Sequence, residues 1–431
     1  MRELVMDRHA TFSTRAQSDS DDYEVPTMDG YELNEYTCSD AVKDGRLDVL
    51  KWAHAHECPL DKYVSSKAAS LGHLEILKWL TEVDCPRDNY ATADAAGEGH
   101  LACLEYLHET GCEWDSGACI AAACGGHLEC LKYLYDNQCP WSENVTKLAA
   151  MNGHVHILEF VKEKASLRSE PNAGCCLFPG NKYKETVKCE WSPETSAFAA
   201  KGGQLECLKW LRANGEDWKE SAQDGSLCAS AAEMRRLQCL KWLREEAGCE
   251  WNLYASDRAA ENGNLECLRY LRENGCQWTD HTVAWAAQRG HLECLKYLRE
   301  HEKEWCEPMI MFPGCKAVGL WNAEVFAKAA QGGHLECLQY LRDECGCEWD
   351  EQAPMMVAFD DKCDVLRWLH ENGCPWDERT CASAARGADL AALQYARENG
   401  CPWDADTTAA AKGNDDMEMY RYAVENGCPA A

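Results

Sequence analysis

Apolar positions recur along this chain with a period of about 27 residues, and each period holds two helical stretches. The segments GGHLECLKYLYDNQCPW, NGNLECLRYLRENGCQW, RGHLECLKYLREHEKEW and GGHLECLQYLRDECGCEW, beginning at Gly125, Asn262, Arg289 and Gly332, show the second stretch. In Leu292–Glu300 the apolar members Leu292, Cys294, Leu295, Tyr297 and Leu298 spread over a broad arc at helical period. That arc predicts a helix buried on more than one side, as in a middle layer. Glu293, Lys296 and Arg299 take the remaining face, with Glu293 and Lys296 at the favourable i, i+3 spacing. The first stretch is short and alanine-rich. A short polar residue precedes it, as at Asp61, Asp115, Ser142, Thr279, Asn322, Asp350, Asp377 and Asp404, which predicts an N-terminal cap. Alanine three residues before Gly-His (Ala69, Ala96, Ala123, Ala150) predicts close approach of helices in adjacent layers. Glycine then breaks the first helix. Asn-Gly at 274–275, 372–373, 399–400 and 426–427 predicts a left-handed stop for the second.

With the glycine of Gly-His as anchor, the register holds at Gly45, Gly72, Gly99, Gly126, Gly153, Gly203, Arg235, Gly263, Gly290, Gly333, Asp361, Ala388 and Asp415. A helix–turn–helix unit of this size cannot bury its own apolar face and must stack on its neighbours. The expected fold is an all-α solenoid of about 13 stacked repeats over residues 37–431. Residues 1–36 lack the repeat and carry the acidic run Ser18 to Glu24, so they are expected to form a disordered tail.

Composition narrows the function. The net charge is −30, from 73 acidic against 43 basic residues. Nucleic-acid binding needs cationic patches, so a basic or mixed protein partner is expected instead. There is no apolar run long enough for a membrane span, and MRELVMDRHATFSTRAQ lacks the apolar core of a secretory signal. The expected compartment is the cytoplasm, with the nucleus as the alternative. Most of the 29 cysteines occupy two repeat positions: inside the second helix (Cys103, Cys207, Cys267) and just before a loop tryptophan (Cys112, Cys276, Cys401). Equivalent cysteines lie a layer apart, beyond the roughly 7 Å Cα limit of a disulfide. They read as small buried apolar residues of a reducing compartment. The tryptophan recurs at Trp114, Trp141, Trp251, Trp278, Trp349, Trp376 and Trp403. It reads as a cover for the seam between repeats, with a ligand-stacking row as the competing reading.

The string Ala-Ala-x-x-Gly-His-Leu-Glu-x-x-Lys-x-Leu-x-x-Asn-Gly, clearest at Ala122–Leu134, Ala286–Leu298 and Ala329–Leu341, resembles the ankyrin repeat. The resemblance implies antiparallel helix pairs in a curved stack and a protein-binding role. Ankyrin units run about 33 residues with a Thr-Pro-Leu-His turn, which is missing here. The chain therefore looks like a shortened ankyrin variant with Cys-Pro-Trp-Asp in place of the hairpin finger. The His of Gly-His (His73, His100, His127, His154, His291, His334) matches a structural position of that family, which implies local hydrogen bonding.

Two insertions break the period, one within Lys162–Lys188 and one between Trp305 and Trp321; a smaller irregularity replaces Gly-His by Arg235-Arg236. Both larger insertions carry Phe-Pro-Gly after an apolar run, and the first is locally basic. Insertions in repeat arrays map to loops on the binding face, and apolar anchors on loops are what interfaces use. Leu177, Phe178, Pro179, Lys182, Lys184, Met309, Ile310, Met311, Phe312 and Pro313 are the candidate partner-contact residues. Loops folded back on the stack are the alternative. No phosphate-binding loop, nucleophile elbow, His-Glu-x-x-His or Cys-x-x-Cys motif occurs. No catalytic residue, cofactor or metal ligand is assigned, and no enzymatic activity is expected. The reading is an interaction scaffold or adaptor, monomeric on its own, that holds other proteins on its repeat surface and inserted loops. The alternatives are a metal- or redox-responsive protein using Cys175, Cys176, Cys306 and Cys315, and a permanent structural subunit of a larger assembly.

Overall fold

The computed structural model describes residues 27–34, 36–87, 90–168, 193–215, 226–301, 320–414 and 417–430. They fall in two compact units, Met1–Ala118 and Cys119–Ala431. Both are built from pairs of short helices stacked layer on layer, so the chain is an all-α helical solenoid.

The first unit opens on a two-stranded antiparallel hairpin, Thr27–Met28 against Tyr31–Glu32. Asp29 and Gly30 turn it with φ of +50° and +88°, the left-handed pair that a two-residue hairpin turn requires. Arg46 ties the turn to the first layer through Asp29 at 2.6 Å, and the Tyr31 hydroxyl donates to Asp44. This hairpin lies within the stretch 1–36 expected as a tail, and its turn follows the Asp-Gly signal. Residues 1–26 lie outside the described residues. Three helix pairs follow: Thr37–Lys43 with Leu47–Ala55, Lys62–Ser70 with Leu74–Glu82, and Tyr90–Gly97 with Leu101–Glu109.

The second unit begins inside helix Ser116–Gly125 and repeats the pair to helix Met417–Glu425. From Asn144–Asn152 onward its first helices pack one on the next. Asn144–Asn152 packs on Pro193–Gly202, and Asp280–Gln288 packs on Ala323–Gly332, so neither large insertion interrupts the stacking. The alanines explain the intimacy. Ala149, Ala150, Ala199, Ala200, Ala329 and Ala330 are all fully buried. A Cβ added at Gly332 would overlap the Gln288 carbonyl oxygen, so side chains there must be the smallest. The predicted caps form except at Thr279, whose hydroxyl accepts no amide: Asp61 accepts from the Tyr63 and Val64 amides at 3.0 and 3.1 Å, Asp115 from Gly117 at 2.7 Å and Asn322 from Val325 at 3.0 Å. Ser142, Asp350, Asp377 and Asp404 accept in the same way.

The second helices bury the cysteine and two leucines of the pattern, as at Cys294, Leu295 and Leu298. Lys296 meets Glu293 at 2.7 Å; the pair is exposed and contributes little. Every described anchor has positive φ, including Arg235 at +59°, Asp361 at +54° and Ala388 at +58°. At those three the side chain is held in a conformation that glycine takes without strain.

Candidate functional site

The loop edge of each repeat is where sequence and geometry converge, and most of its polar groups are committed to holding the stack. The loop cysteine donates its S–H to a carbonyl oxygen 24 residues earlier, where the first helix begins. Cys276 reaches Asn252 at 3.6 Å, Cys374 reaches Asp350 at 3.6 Å, Cys401 reaches Asp377 at 3.3 Å and Cys428 reaches Asp404 at 3.2 Å. In several repeats the loop cysteine also meets a small polar or thiol side chain 20 residues before it, as Ser65 with Cys85 at 3.5 Å and Ser256 with Cys276 at 3.2 Å. At 119/139 and 381/401 that partner is a second cysteine. Comparing cysteines only between layers misses these pairs; their signal is the spacing of 20 within a repeat. The described cysteines are unbridged thiols. Burial pushes Cys103, Cys207, Cys267, Cys294 and Cys337 up to about 11 and Cys374 up to about 12. They stay protonated at neutral pH and are poor nucleophiles.

At several repeats the residue after the anchor ties one layer to the previous one. His154 Nε2 donates to the Cys124 carbonyl at 3.0 Å and His291 Nε2 to the Glu261 carbonyl at 2.9 Å. At Arg236, Asn264 and Lys362 the residue in place of histidine makes the same bond to the preceding layer. Arg236 donates to Lys201 at 3.1 Å, Asn264 to Ala232 at 2.5 Å and Glu233 at 2.8 Å, and Lys362 to Gln331. The irregular Arg235-Arg236 anchor therefore keeps its tie.

The loop tryptophan is held between a cation of its own second helix and an aromatic ring of the next. Arg272 lies 5.0 Å from the Trp278 ring, whose centroid is 6.2 Å from Tyr297. Arg397 lies 4.5 Å from Trp403, which meets Tyr422 at 6.4 Å. His108 and His370 take the arginine's place, stacking on Trp114 at 3.8 Å and on Trp376 at 4.2 Å. These rings lie at the seams, as the first of the two sequence readings has it.

Leu177, Phe178, Pro179, Lys182, Lys184, Met309, Ile310, Met311, Phe312 and Pro313 lie outside the described residues, as do Cys175, Cys176, Cys306 and Cys315. The segment leading into the first insertion is described. Helix Val155–Arg168 runs on into it. Lys162 donates to Asn214 Oδ1 at 2.5 Å, and Lys164 lies 5.4 Å from the Phe160 ring. Two of the lysines that made the insertion look basic are thus engaged with the stack. In the first unit, Asp84, Arg87, Glu113, Trp114 and Asp115 line a groove of about 860 Å³ between successive loops. Among the described residues, no three His, Cys, Asp or Glu gather as a metal site, and no helix is long and apolar enough to cross a membrane.

Two family models match: ankyrin repeats (3 copies) over residues 283–380, and ankyrin repeats (many copies) over residues 256–299. No curated protein matches the chain. Among solved structures, the chain is similar to the crystal structure of the human ASB11 ankyrin repeat domain, at 21% identity over 49% of this chain and 84% of that chain, with a TM-score of 0.25. It is also similar to the crystal structure of the pentatricopeptide repeat protein PPR10 from maize, at 13% identity over 92% of this chain and 63% of that chain, with a TM-score of 0.29. With the family match on residues 256–380 and the same helix pair, anchor and tie recurring along the described residues, the chain is an ankyrin-like repeat protein.

Proposed function

We propose that the chain is a monomeric scaffold that holds partner proteins on its repeat surface and on the two inserted loops. The observation that carries this is the ankyrin-repeat match, because ankyrin repeats generally mediate protein–protein interaction and are typically non-enzymatic modules. The packing supports the role given to the loops: first helices stack across both insertions, so the loops leave a support that does not need them. The buried, protonated thiols suit a reducing compartment, which favours the cytoplasm or the nucleus. The test is affinity capture from native extract with the intact chain and with a variant lacking residues 169–187 and 307–319. This variant keeps the Lys162 and Lys164 contacts. Specific partners lost with the variant assign binding to the loops. Partners retained assign it to the helical faces. No specific partner with either protein overturns the scaffold reading.

A further inference from the structure

Tyr36, Tyr63 and Tyr90 stand one repeat apart where the three first helices of the first unit begin: Thr37–Lys43, Lys62–Ser70 and Tyr90–Gly97. They are 61%, 64% and 64% exposed. The stack does not require a ring at this position, because Gly117, Asn144 and Glu194 fill it in the next repeats. Thr37–Lys43 packs on Lys62–Ser70, which packs on Tyr90–Gly97. The three rings therefore form one strip whose spacing is set by helix packing, about 8–10 Å. Lys67 Nζ, one turn beyond Tyr63, donates to Ser39 Oγ, about one turn beyond Tyr36, at 2.9 Å, so the two helices meet on the face below these rings. Beside the rings that face carries the small residues Ser39, Ser66 and Ala93.

The spacing selects the occupant. A polyproline II segment repeats every three residues, about 9.3 Å along its axis, which matches the rings. Side chains on one face of a β-strand recur at about 6.8 Å and fall out of step. Aromatic-lined grooves are a known mode of recognising proline-rich segments. Charge selects further. Across residues 27–118, acidic residues outnumber basic ones by 18 to 7. Asp61 caps the helix beside Tyr63, and Asp84, Glu113 and Asp115 rim the loop groove. Lys62 Nζ stands 5.3 Å from the Tyr63 centroid, so this ring already receives a cation.

We propose that Tyr36, Tyr63 and Tyr90 dock a proline-rich segment of a partner protein that carries arginine or lysine between its prolines. The proposal rests on the interaction-scaffold reading and names a surface separate from the inserted loops. The test is fluorescence anisotropy of the full chain with a labelled peptide of three Pro-x-x-Pro turns with arginines between the prolines. The intact chain should bind it. Tyr63→Ala should weaken binding about tenfold or more, as loss of a central aromatic anchor does, and the triple Tyr→Ala variant should abolish it. Tyr254→Ala is the control: it has the same repeat position and is 67% exposed, but its neighbours in register are Ser226 and His281. It should bind as the intact chain does. All these tyrosines are exposed, so melting temperatures should be unchanged. A peptide with alanine for every proline and the same charges should bind at least about tenfold more weakly. The proposal is overturned if the intact chain does not bind, if the proline-free peptide binds equally, or if the triple variant binds unchanged. Loss of peptide binding with partner capture through the inserted loops intact would remove only this surface; loss of both removes the scaffold reading as well.

Discussion

His291 and Asp389 occupy the same repeat position and respond to pH in opposite directions. Burial lowers His291 and His154 below the ordinary imidazole value. The folded chain holds both neutral, and the unfolded chain binds the proton first. Their stability is whole above about pH 6.5 and is lost as pH falls through that value. Asn264 makes the same tie without titrating. His291→Asn is therefore expected to match the parent at pH 7.5 and to melt higher than the parent at pH 5.5. Equal acid losses in the two proteins would contradict the assignment. Asp389 has no donor to offer the preceding layer. It is 5% exposed, accepts from the Ala392 amide at 2.9 Å and is raised above the carboxylate range by burial, with Asp361 adding to the shift. Its contribution is present below about pH 3.9 and is lost as pH rises through the raised folded value. Asp389→Asn keeps the cap and adds a donor. It should stabilise the protein by about 1 kcal/mol at pH 7, a gain that disappears near pH 3.5 in thermal melts.

Between neighbouring repeats the decisive contact is the tryptophan seam. Trp278 is 1% exposed under Arg272 and against Tyr297. Trp278→Ala should cost about 3–5 kcal/mol, and Arg272→Ala about 0.5–2 kcal/mol through the lost cation–π contact. Urea melts measure both. A cost near zero for the tryptophan would move the row from seam to binding surface. The thiols give a second check. Cys124 is exposed and Cys363 half-buried, whereas Cys276 and Cys401 are buried with bonded thiols. Mass-mapped alkylation of the native chain should modify Cys124 and Cys363 long before the other two. Much of this was legible in the sequence: the anchors, the caps and the seam role of tryptophan repeat with the period, and periodicity reports which face is buried. What repeats less visibly was missed. The thiol pairs join positions 20 apart inside one unit, the engagement of Lys162 and Lys164 depends on a helix running past its expected end, and the 27–32 hairpin occurs once among the described residues. Tyr36, Tyr63 and Tyr90 are periodic too, but an aromatic ring at a fixed period reads equally as core until the facing of its helix is known.

At the scale of the whole chain, the charge of −30 acts on folding and on binding with opposite signs. Within each unit, acidic loops recur at the layer spacing of about 8–10 Å. That spacing lies within the Debye length at low salt, about 30 Å at 0.01 M, and outside it at 1 M, where the length is about 3 Å. Self-repulsion of like charges opposes the compact state, so adding salt from about 0.02 M to about 0.5 M should raise the melting temperature. A cationic proline-rich peptide is held partly by attraction to the same charges, so its affinity should fall over the same range. Measuring both on one preparation separates the two contributions to docking. Affinity that falls as the melting temperature rises assigns part of the binding to the acidic surround. Affinity that holds constant leaves the register of three tyrosines to carry recognition alone, and the partner would then be defined by its prolines rather than by its charge.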